Sequence, residues 1–323
     1  MAISVIITNF NGACFLPRLL ESLAQQRGVE TEIIVVDRNS SDDSSKILAT
    51  YANVVVIQEA PETGMVGGYT AGIRLAKHEH LFFCNEDMWF EPDCLRLLEA
   101  KIDLKKRICA VDPWQWSYDG KHWIHGGTRV RINILAVCLP LPFYYFDSTI
   151  NLNSGDKVPV PCVGAFLIHK DVFKELGGWD TSFFMEQEDI DLFIRAWQKD
   201  WLCGTVPEAK VYHAVGASNT YRLKNSKQTV KTRRYISSRT NTIIIALKYF
   251  SFFYIPITFI GWMAMLINHA LRLRLQSFIW DILALTQVFK RLPVALRFRF
   301  GNSEWNRHKP GQKFFTDPEF LIK

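Results

Sequence analysis

Short apolar runs alternate with helix-like segments along the first half of the chain. The runs are rich in β-branched residues and short, which predicts strands at 3–8, 32–36, 53–57 and 81–84. The segments between them space their apolar residues with a helical period, which predicts helices at 13–26, 42–50 and 67–77. This alternation predicts an α/β fold with a Rossmann-like, mainly parallel sheet that is covered by helices on both faces.

The residues that follow each predicted strand are the first candidates for chemistry. Ligands of such sheets bind beyond the carboxyl ends of the strands, and polar residues and glycines collect at these points in 8–12, 37–40, 59–68 and 85–87. A helix predicted from about 187 to 199 begins with the adjacent carboxylates Glu188 and Asp189. Neighbouring carboxylates in a segment with a buried pattern repel each other and lose solvation, which raises at least one pKa and suits a general base.

The last third of the chain has a different pattern. No Asp, Glu, Lys or Arg occurs from Tyr249 to Leu271, a length that is sufficient to cross a bilayer. Pro256 and Gly261 interrupt the run, and basic residues flank both of its ends, which favours a segment that lies in one leaflet. A hydrophobic helical hairpin that completes the core or forms a dimer is the alternative.

Charge divides the chain in the same place. Residues 222–323 hold 18 Lys and Arg against 4 Asp and Glu, a net charge of +14, whereas the rest of the chain carries −8. We therefore expect a catalytic domain at 1–220 and a basic, membrane-associated helical tail at 221–323 on anionic lipid, with no nucleic-acid partner. The chain shows no export signal, and its seven cysteines lack a CxxC pair. These features predict reduced thiols and a location at the cytoplasmic face of the inner or plasma membrane.

Six sequence blocks occur in an order that resembles glycosyltransferase family 2, the inverting nucleotide-sugar transferases of GT-A fold. The blocks are SVIITNFNG (4–12), IIVVDRNSSDDS (33–44), GMVGGYTAG (64–72), FFCNEDMWFEPDCL (82–95), the long block 163–197 and VYHAVGAS (211–218). Within the family, the blocks are most similar to the rhamnosyltransferase-like members that build bacterial surface polysaccharides.

The resemblance implies a role for individual residues. Asp189 would be the catalytic base, with Glu188 orienting the base or the acceptor, and Asp87 with His213 would hold a divalent cation, Mg²⁺ or Mn²⁺. The nucleotide-sugar site would include Thr8, Asn11, Asp37, Asn39, Gly67, Asn85 and Glu86, and the acceptor would lie near Trp179 and Asp180.

Four positions in these blocks leave alternatives open. Asp37 also fits the first position of a turn or helix cap. Asn85 replaces the first aspartate of the family's Asp-x-Asp motif. In the block 33–44, Arg38 occupies the position where the family usually has an asparagine. Glu86 either contributes to the site or faces solvent.

The resemblance implies that the protein is a non-processive glycosyltransferase. It would move rhamnose or another hexose from a dTDP- or UDP-sugar to a lipid-linked or polysaccharide acceptor. The Gln-x-x-Arg-Trp motif of processive synthases has no match in QTVKTRRY at 228–235. A nucleotidyltransferase is disfavoured because residues 8–17 contain no basic residue, and a non-catalytic nucleotide-sugar-binding protein is the remaining alternative.

Overall fold

The computed structural model describes residues 2–126, 129–130, 144–145, 161, 164–214, 217–249 and 254–301. The chain forms two compact units. The first contains residues 1–129, 146–184 and 192–227, and the second contains 130–145, 185–191 and 228–323. The end of the predicted tail, 302–323, lies outside the described residues.

Strands and helices alternate through the first unit, and long helices dominate the second. In chain order they are β1 (Ala2–Asn9), α1 (Leu16–Ala24), β2 (Glu30–Asp37), α2 (Ser44–Leu48), β3 (Val54–Gln58), a 3₁₀ turn (Pro61–Thr63), α3 (Gly64–Ile73), β4 (His80–Asn85), β5 (Met88–Phe90), α4 (Cys94–Glu99), β6 (Ile108–Ser117), β7 (Trp123–His125), β8 (Arg129–Val130), β9 (Tyr144–Tyr145), β10 (Ala165–His169), α5 (Lys170–Glu175), α6 (Glu188–Gln198), β11 (Leu202–His213), α7 (Ala217–Tyr249), α8 (Tyr254–Leu271) and α9 (Leu275–Gly301). The four predicted strands are confirmed as β1 to β4, with small differences at their ends.

The sheet of the first unit is mixed rather than mainly parallel. Its strand order is β3-β2-β1-β4-β10-β6-β11-β5, with β7 beside β6. The strands β3, β2, β1 and β4 are parallel, but β10 runs antiparallel to both β4 and β6, and β5 runs antiparallel to β11. The parallel arrangement that was predicted is present in β3-β2-β1-β4 and in the pair β6 and β11, but the prediction missed the antiparallel strands β10, β5 and β7, because a buried apolar run has the same pattern in either chain direction.

Burial of the central strands explains why the front of the chain folds as the pattern predicts. Residues 3–7 of β1 are buried on both faces of the sheet, and α1 places its four leucines against one face. Each such side chain contributes roughly 1.5–3 kcal/mol when it leaves water. The register aligns Asn9 with Asp37 and Thr8 with Asn85, so that the ends of β1, β2 and β4 lie side by side.

The second unit is built from α7, α8 and α9, which bury polar as well as apolar side chains. Trp262 and Leu266 of α8 are buried. The carboxylate of Asp281 is also buried; it accepts a hydrogen bond from Tyr235 Oη (2.9 Å), and its other oxygen is hydrogen-bonded with His269 Nδ1 (2.8 Å). Within the described part of the chain, no helix combines the length and the hydrophobicity that crossing a bilayer requires.

Candidate active site

Asp37 closes the loop after β2 and connects it to the end of β1. Its Oδ1 accepts hydrogen bonds from Asn9 Nδ2 (2.6 Å) and Ser40 Oγ (2.6 Å), and its Oδ2 accepts one from Ser40 N (3.1 Å). The turn role left open by the sequence is thus present in the structure. An ionised carboxylate has about four acceptor positions, so three hydrogen bonds leave Asp37 able to accept one from a ligand.

The two asparagines of these loops adopt left-handed conformations. Asn11 has φ +54° and Asn39 has φ +57°. Asn11 Oδ1 accepts a hydrogen bond from Ser41 N (2.7 Å), and Asn11 N donates to Ser40 Oγ (2.8 Å). Asn39 is exposed. Asparagine tolerates this conformation better than most residues, which gives both positions a role in shaping the loops.

Glycines in α3 allow this helix to lie close to the end of β1. A Cβ on Gly68 would lie 2.8 Å from Thr8 Cγ2 and 3.5 Å from Arg38 Cδ, whereas one on Gly67 would lie 2.2 Å from Thr63 Cβ. The structure therefore adds Gly68 and Arg38 to the surroundings of Thr8, and it gives Gly67 a packing contact inside the first turn of α3.

The acidic loop after β4 is largely buried. Asn85 Oδ1 accepts a hydrogen bond from Tyr69 Oη (3.2 Å), and Asn85 N donates to the carbonyl O of Gly164 (2.9 Å). Glu86 is buried rather than facing solvent, and a Cβ on Gly12 would lie 2.6 Å from Glu86 Cγ. The loop is therefore held beneath the β1–α1 connection.

Asp87 and His213 come together although they are far apart in the sequence. The antiparallel pairing of β5 with β11 aligns His213 with Met88, and Ala214 N donates to the carbonyl O of Asp87 (3.0 Å). As a result His213 Nε2 lies 3.3 Å from Asp87 Oδ1. Both side chains are mostly buried, so the pair forms a fixed unit at the edge of the sheet.

The chemistry of this pair fits a divalent cation. His213 Nδ1 lies 2.9 Å from Gln115 Oε1, and since an amide oxygen only accepts, Nδ1 carries the proton in the neutral ring. The lone pair of Nε2 then faces an anionic oxygen, an arrangement that a cation between them would stabilise. Among the described residues no group of three or more His, Cys, Asp or Glu side chains could enclose a metal ion. The ligands that this chain would contribute to a metal ion are thus the side chains of Asp87 and His213.

Trp179 lies in an aromatic cluster of the first unit. Its ring stacks on Tyr69 with centroids 5.9 Å apart and contacts the edge of Phe83 at 5.2 Å. Its indole Nε1 is buried and has no hydrogen-bond partner among the described residues. Asp180 Oδ1 accepts a hydrogen bond from Ser182 N (2.8 Å), so Asp180 shapes the turn that follows the tryptophan.

The carboxylate pair at the start of α6 belongs to the second unit and is buried. Glu188 and Asp189 are each 2% exposed, and one oxygen of each, Oε2 and Oδ2, has no hydrogen-bond partner within the described chain. Burial raises the pKa of Asp189 to about 7, and the charge of Glu186 acts in the same direction. Burial and the neighbouring Asp189 also raise the pKa of Glu188 well above its ordinary value. The sequence predicted such a perturbed pair.

Asp191, two residues after this pair, is bound to α7 by interactions that the sequence analysis missed. Asp191 Oδ1 accepts hydrogen bonds from Lys248 Nζ and from Tyr249 Oη (2.7 Å), and all three residues are buried. The only signal in the sequence was a single lysine directly after the apolar run 243–247, because a lysine in such a run requires a buried partner.

Comparison with known proteins identifies the class. The sequence profile described as "Glycosyl transferase family 2" matches residues 4–177, more than half of the chain. The chain therefore belongs to glycosyl transferase family 2, and it is a glycosyltransferase. The hypotheses of a nucleotidyltransferase and of a non-catalytic binding protein are not retained.

Individual relatives agree with this assignment. YwdF of Bacillus subtilis, an uncharacterized glycosyltransferase, is 30% identical over 215 residues, which are 66% of this chain and 74% of YwdF. The structure of GalNAc-T7 with UDP, GalNAc and Mn²⁺ superposes with a TM-score of 0.53 at 18% identity, covering 66% of this chain but 44% of GalNAc-T7. The mannosyltransferase PcManGT of Pyrobaculum calidifontis, in complex with GDP-Man and Mn²⁺, gives a TM-score of 0.52 at 14% identity, covering 90% of this chain and 86% of PcManGT. At these identities the two structural likenesses concern the fold alone.

Proposed function

We propose that this chain is an inverting, metal-dependent, non-processive glycosyltransferase that acts in the synthesis of cell-surface glycans. It transfers rhamnose or another hexose from a dTDP- or UDP-sugar to a lipid-linked or polysaccharide acceptor. The observation that carries this proposal is Asp189, a buried carboxylate with one unpartnered oxygen and a pKa of about 7. A base with a pKa near the working pH is suited to proton transfer.

In this reaction Asp189 removes the proton of an acceptor hydroxyl. The oxygen of that hydroxyl forms a bond to the anomeric carbon of the donor sugar, while the bond from that carbon to the diphosphate breaks and the configuration inverts. The proton remains on Asp189 until it passes to solvent. Glu188 lies directly beside the base, where burial and the charge of Asp189 raise its pKa well above the ordinary value, and its role is to orient the base or the acceptor.

Asp87 and His213 are the residues that would hold the cation. A divalent cation supplies neutralisation of the charge that develops on the diphosphate leaving group. GalNAc-T7 and PcManGT were both solved with Mn²⁺. The contribution of this chain is to present a carboxylate oxygen and an imidazole Nε2 that are fixed 3.3 Å apart before any ligand arrives.

The nucleotide part of the donor is assigned to the ends of β1 and β2. Thr8, Asp37 and Arg38 are buried beside one another there. The remaining acceptor position of Asp37 suits an imide N–H of uracil or thymine, or a ribose hydroxyl. Arg38 adds a permanent positive charge that favours a diphosphate.

An exposed apolar surface on α8 and α9 supports membrane association. The connection between the helices and the residue on each side of it form an alternating stretch of exposed leucines and arginines, Leu271, Arg272, Leu273, Arg274 and Leu275, in which Leu273 is 90% exposed. Large apolar residues are also exposed along both helices at Ile260, Met263, Ile267, Ile279, Leu283 and Phe289. Leucines that enter the leaflet beside arginines that contact lipid phosphates match an anionic membrane at the cytoplasmic face.

Donor hydrolysis with Mn²⁺ or Mg²⁺ tests the chemistry. A thermal-shift screen of dTDP-rhamnose, UDP-sugars and GDP-mannose with metal identifies the donor. With that donor we expect Asp189→Asn to lower kcat about 10²–10⁴-fold, while nucleotide binding is retained. Asp93→Asn, an exposed carboxylate at the start of α4, is the matched control. Wild-type turnover in Asp189→Asn would remove the base assignment, and an activity that is independent of added metal and survives chelators would remove the role of Asp87.

Vesicle flotation of the full chain tests the membrane surface. We expect flotation with phosphatidylglycerol vesicles that weakens as salt is raised and that is lost when Leu271, Leu273 and Leu275 are all changed to Asp. Leu104→Asp, an exposed leucine of the first unit, is the control and keeps flotation. If the triple variant floats like the wild type, this surface does not bind lipid.

A further inference from the structure

Two consecutive left-handed residues lie directly before the carboxylate pair. Glu186 has φ +68° and Gln187 has φ +66°. Neither is a glycine or asparagine, the residues that adopt this conformation most readily. Such strain persists only when the surrounding contacts hold it. The chain turns into α6 at this point, so the backbone of 186–187 sets the direction of Glu188 and Asp189.

The side-chain amide of Asn241 supplies these contacts. Asn241 is fully buried on α7, and its Nδ2 donates to the carbonyl O of Met185 (2.8 Å) and of Glu186 (2.6 Å). Both hydrogens of the amide are thereby used on the backbone that leads into α6. Asn241 Oδ1 accepts a hydrogen bond from Arg291 Nη1 of α9 (2.7 Å). Since guanidinium groups only donate, Arg291 fixes which end of the amide faces the two carbonyls.

Side-chain contacts reinforce the same segment. Gln187 Nε2 donates to Thr242 Oγ1 (2.9 Å), and Arg234 Nε lies 2.6 Å from Glu186 Oε1. On the far side of the carboxylate pair, Lys248 and Tyr249 bind Asp191. The segment that carries Asp189 is therefore held at both ends by α7, within the second unit.

We propose that Asn241, oriented by Arg291, is a positioning residue for Asp189. This inference rests on the proposed function, in which Asp189 is the base. Asn241 acts through the backbone at 185–186 and not through contact with the reacting atoms. Misplacing a catalytic group by about 1 Å costs on the order of 10²-fold in rate. In this role α7 and α9 hold the segment that carries the base, in addition to any membrane role.

Asn241→Asp is the most specific test, because it keeps the size of the side chain and its acceptor for Arg291 but removes both N–H donors. We expect kcat for donor hydrolysis to fall on the order of 10²-fold. Binding of UDP and dTDP, measured by calorimetry, stays within about twofold of the wild type, since the residues assigned to the nucleotide lie on β1 and β2. The acid limb of the pH profile moves to lower pH, because the hydration that a displaced carboxylate gains outweighs the negative charge that the substitution adds, just as burial outweighs the charge of Glu186 in setting the pKa of Asp189. The exposed residue Asn53 provides the matched control, Asn53→Asp, with no change.

A second substitution separates positioning from a general loss of structure. Glycine adopts positive φ without strain, so Gln187→Gly in the Asn241→Asp background recovers part of the lost kcat, about tenfold. Arg291→Met removes the donor to Asn241 Oδ1, and we expect it to lower kcat as well. This variant takes the place of Asn241→Asp in the test if Asn241→Asp does not fold.

The outcomes distinguish this inference from the proposed function. If Asp189→Asn is inactive but Asn241→Asp or its replacement keeps wild-type kcat, the positioning role is wrong and the base assignment stands. A fall in kcat with an unmoved acid limb and no recovery by Gln187→Gly also overturns it, because it marks a merely structural role. If Asp189→Asn remains active, the proposed function itself has failed.

Discussion

The pH dependence of turnover follows from the burial of Asp189. The base must be ionised to accept a proton, and its pKa is about 7 instead of the ordinary 3.8. About one tenth of the enzyme is then competent at pH 6, half at pH 7 and nine tenths at pH 8. We expect kcat to rise on the order of tenfold between pH 6 and pH 8. An unperturbed aspartate would give a flat profile over this range.

The same shift predicts an effect on stability with a definite sign. The unfolded chain loses this proton near pH 3.8, whereas the folded chain keeps it up to about pH 7. The stability contributed by protonated Asp189 is therefore fully present below pH 3.8 and is lost as the pH rises to about 7. A shift of this size corresponds to on the order of 4 kcal/mol. Asp189→Asn does not titrate, and Asn keeps the acceptor for Ile190 N (2.8 Å). We expect it to melt higher than the wild type at pH 8, with a smaller difference at pH 5.

The assay is donor turnover from pH 5 to pH 9 at saturating donor and metal, together with melting temperatures across the same range. Glu186 is the charged neighbour that raises the pKa of Asp189, whereas Arg234 acts to lower the pKa of the adjacent Glu188. Glu186→Gln removes the negative charge that raises the pKa of Asp189, so the acid limb moves to lower pH. An acid limb near pH 4, or a profile that Glu186→Gln leaves in place, would refute the reasoning.

Three substitutions test the packing inside each unit by thermal melting. Gly64 has φ +70°, and an added Cβ would lie 2.2 Å from a carbonyl oxygen, so Gly64→Ala costs about 1–3 kcal/mol or more. Gly301→Ala is the control and stays within about 0.5 kcal/mol, because an added Cβ there has no neighbour within 4 Å among the described residues. Phe193→Ala empties a fully buried position and costs about 3–5 kcal/mol, and a loss under 1 kcal/mol would contradict the packing. Asp281→Ala removes the acceptor of Tyr235 Oη and the partner of His269 Nδ1, and we expect a loss of about 1–3 kcal/mol for each group left unpaired.

The local sequence pattern was sufficient to predict the first four strands of the sheet. Hydrophobic period and β-branched content are properties of neighbouring residues, and they located β1 to β4 and the loops that follow them. The register of parallel neighbours then places Thr8, Asp37 and Asn85 at one edge. The carboxylate pair at the start of α6 also carried its own signal, because two carboxylates in a segment with a buried pattern lose solvation, and burial is the largest cause of both raised pKa values.

Only the tertiary structure decided the rest. The antiparallel direction of β10 depends on how the chain returns to the sheet, which an apolar run does not encode. The proximity of His213 to Asp87 requires the pairing of β5 with β11. The bonds from Asn241 to the backbone at 185–186 span 55 and 56 residues. Sequence patterns indicate which residues are buried, since the tendency to be buried depends on the hydrophobicity of each side chain. The packing of whole helices and strands determines which partners the buried residues contact. In this protein, α7 and α9, which the sequence analysis assigned to the membrane-associated tail, hold the segment that carries the candidate base.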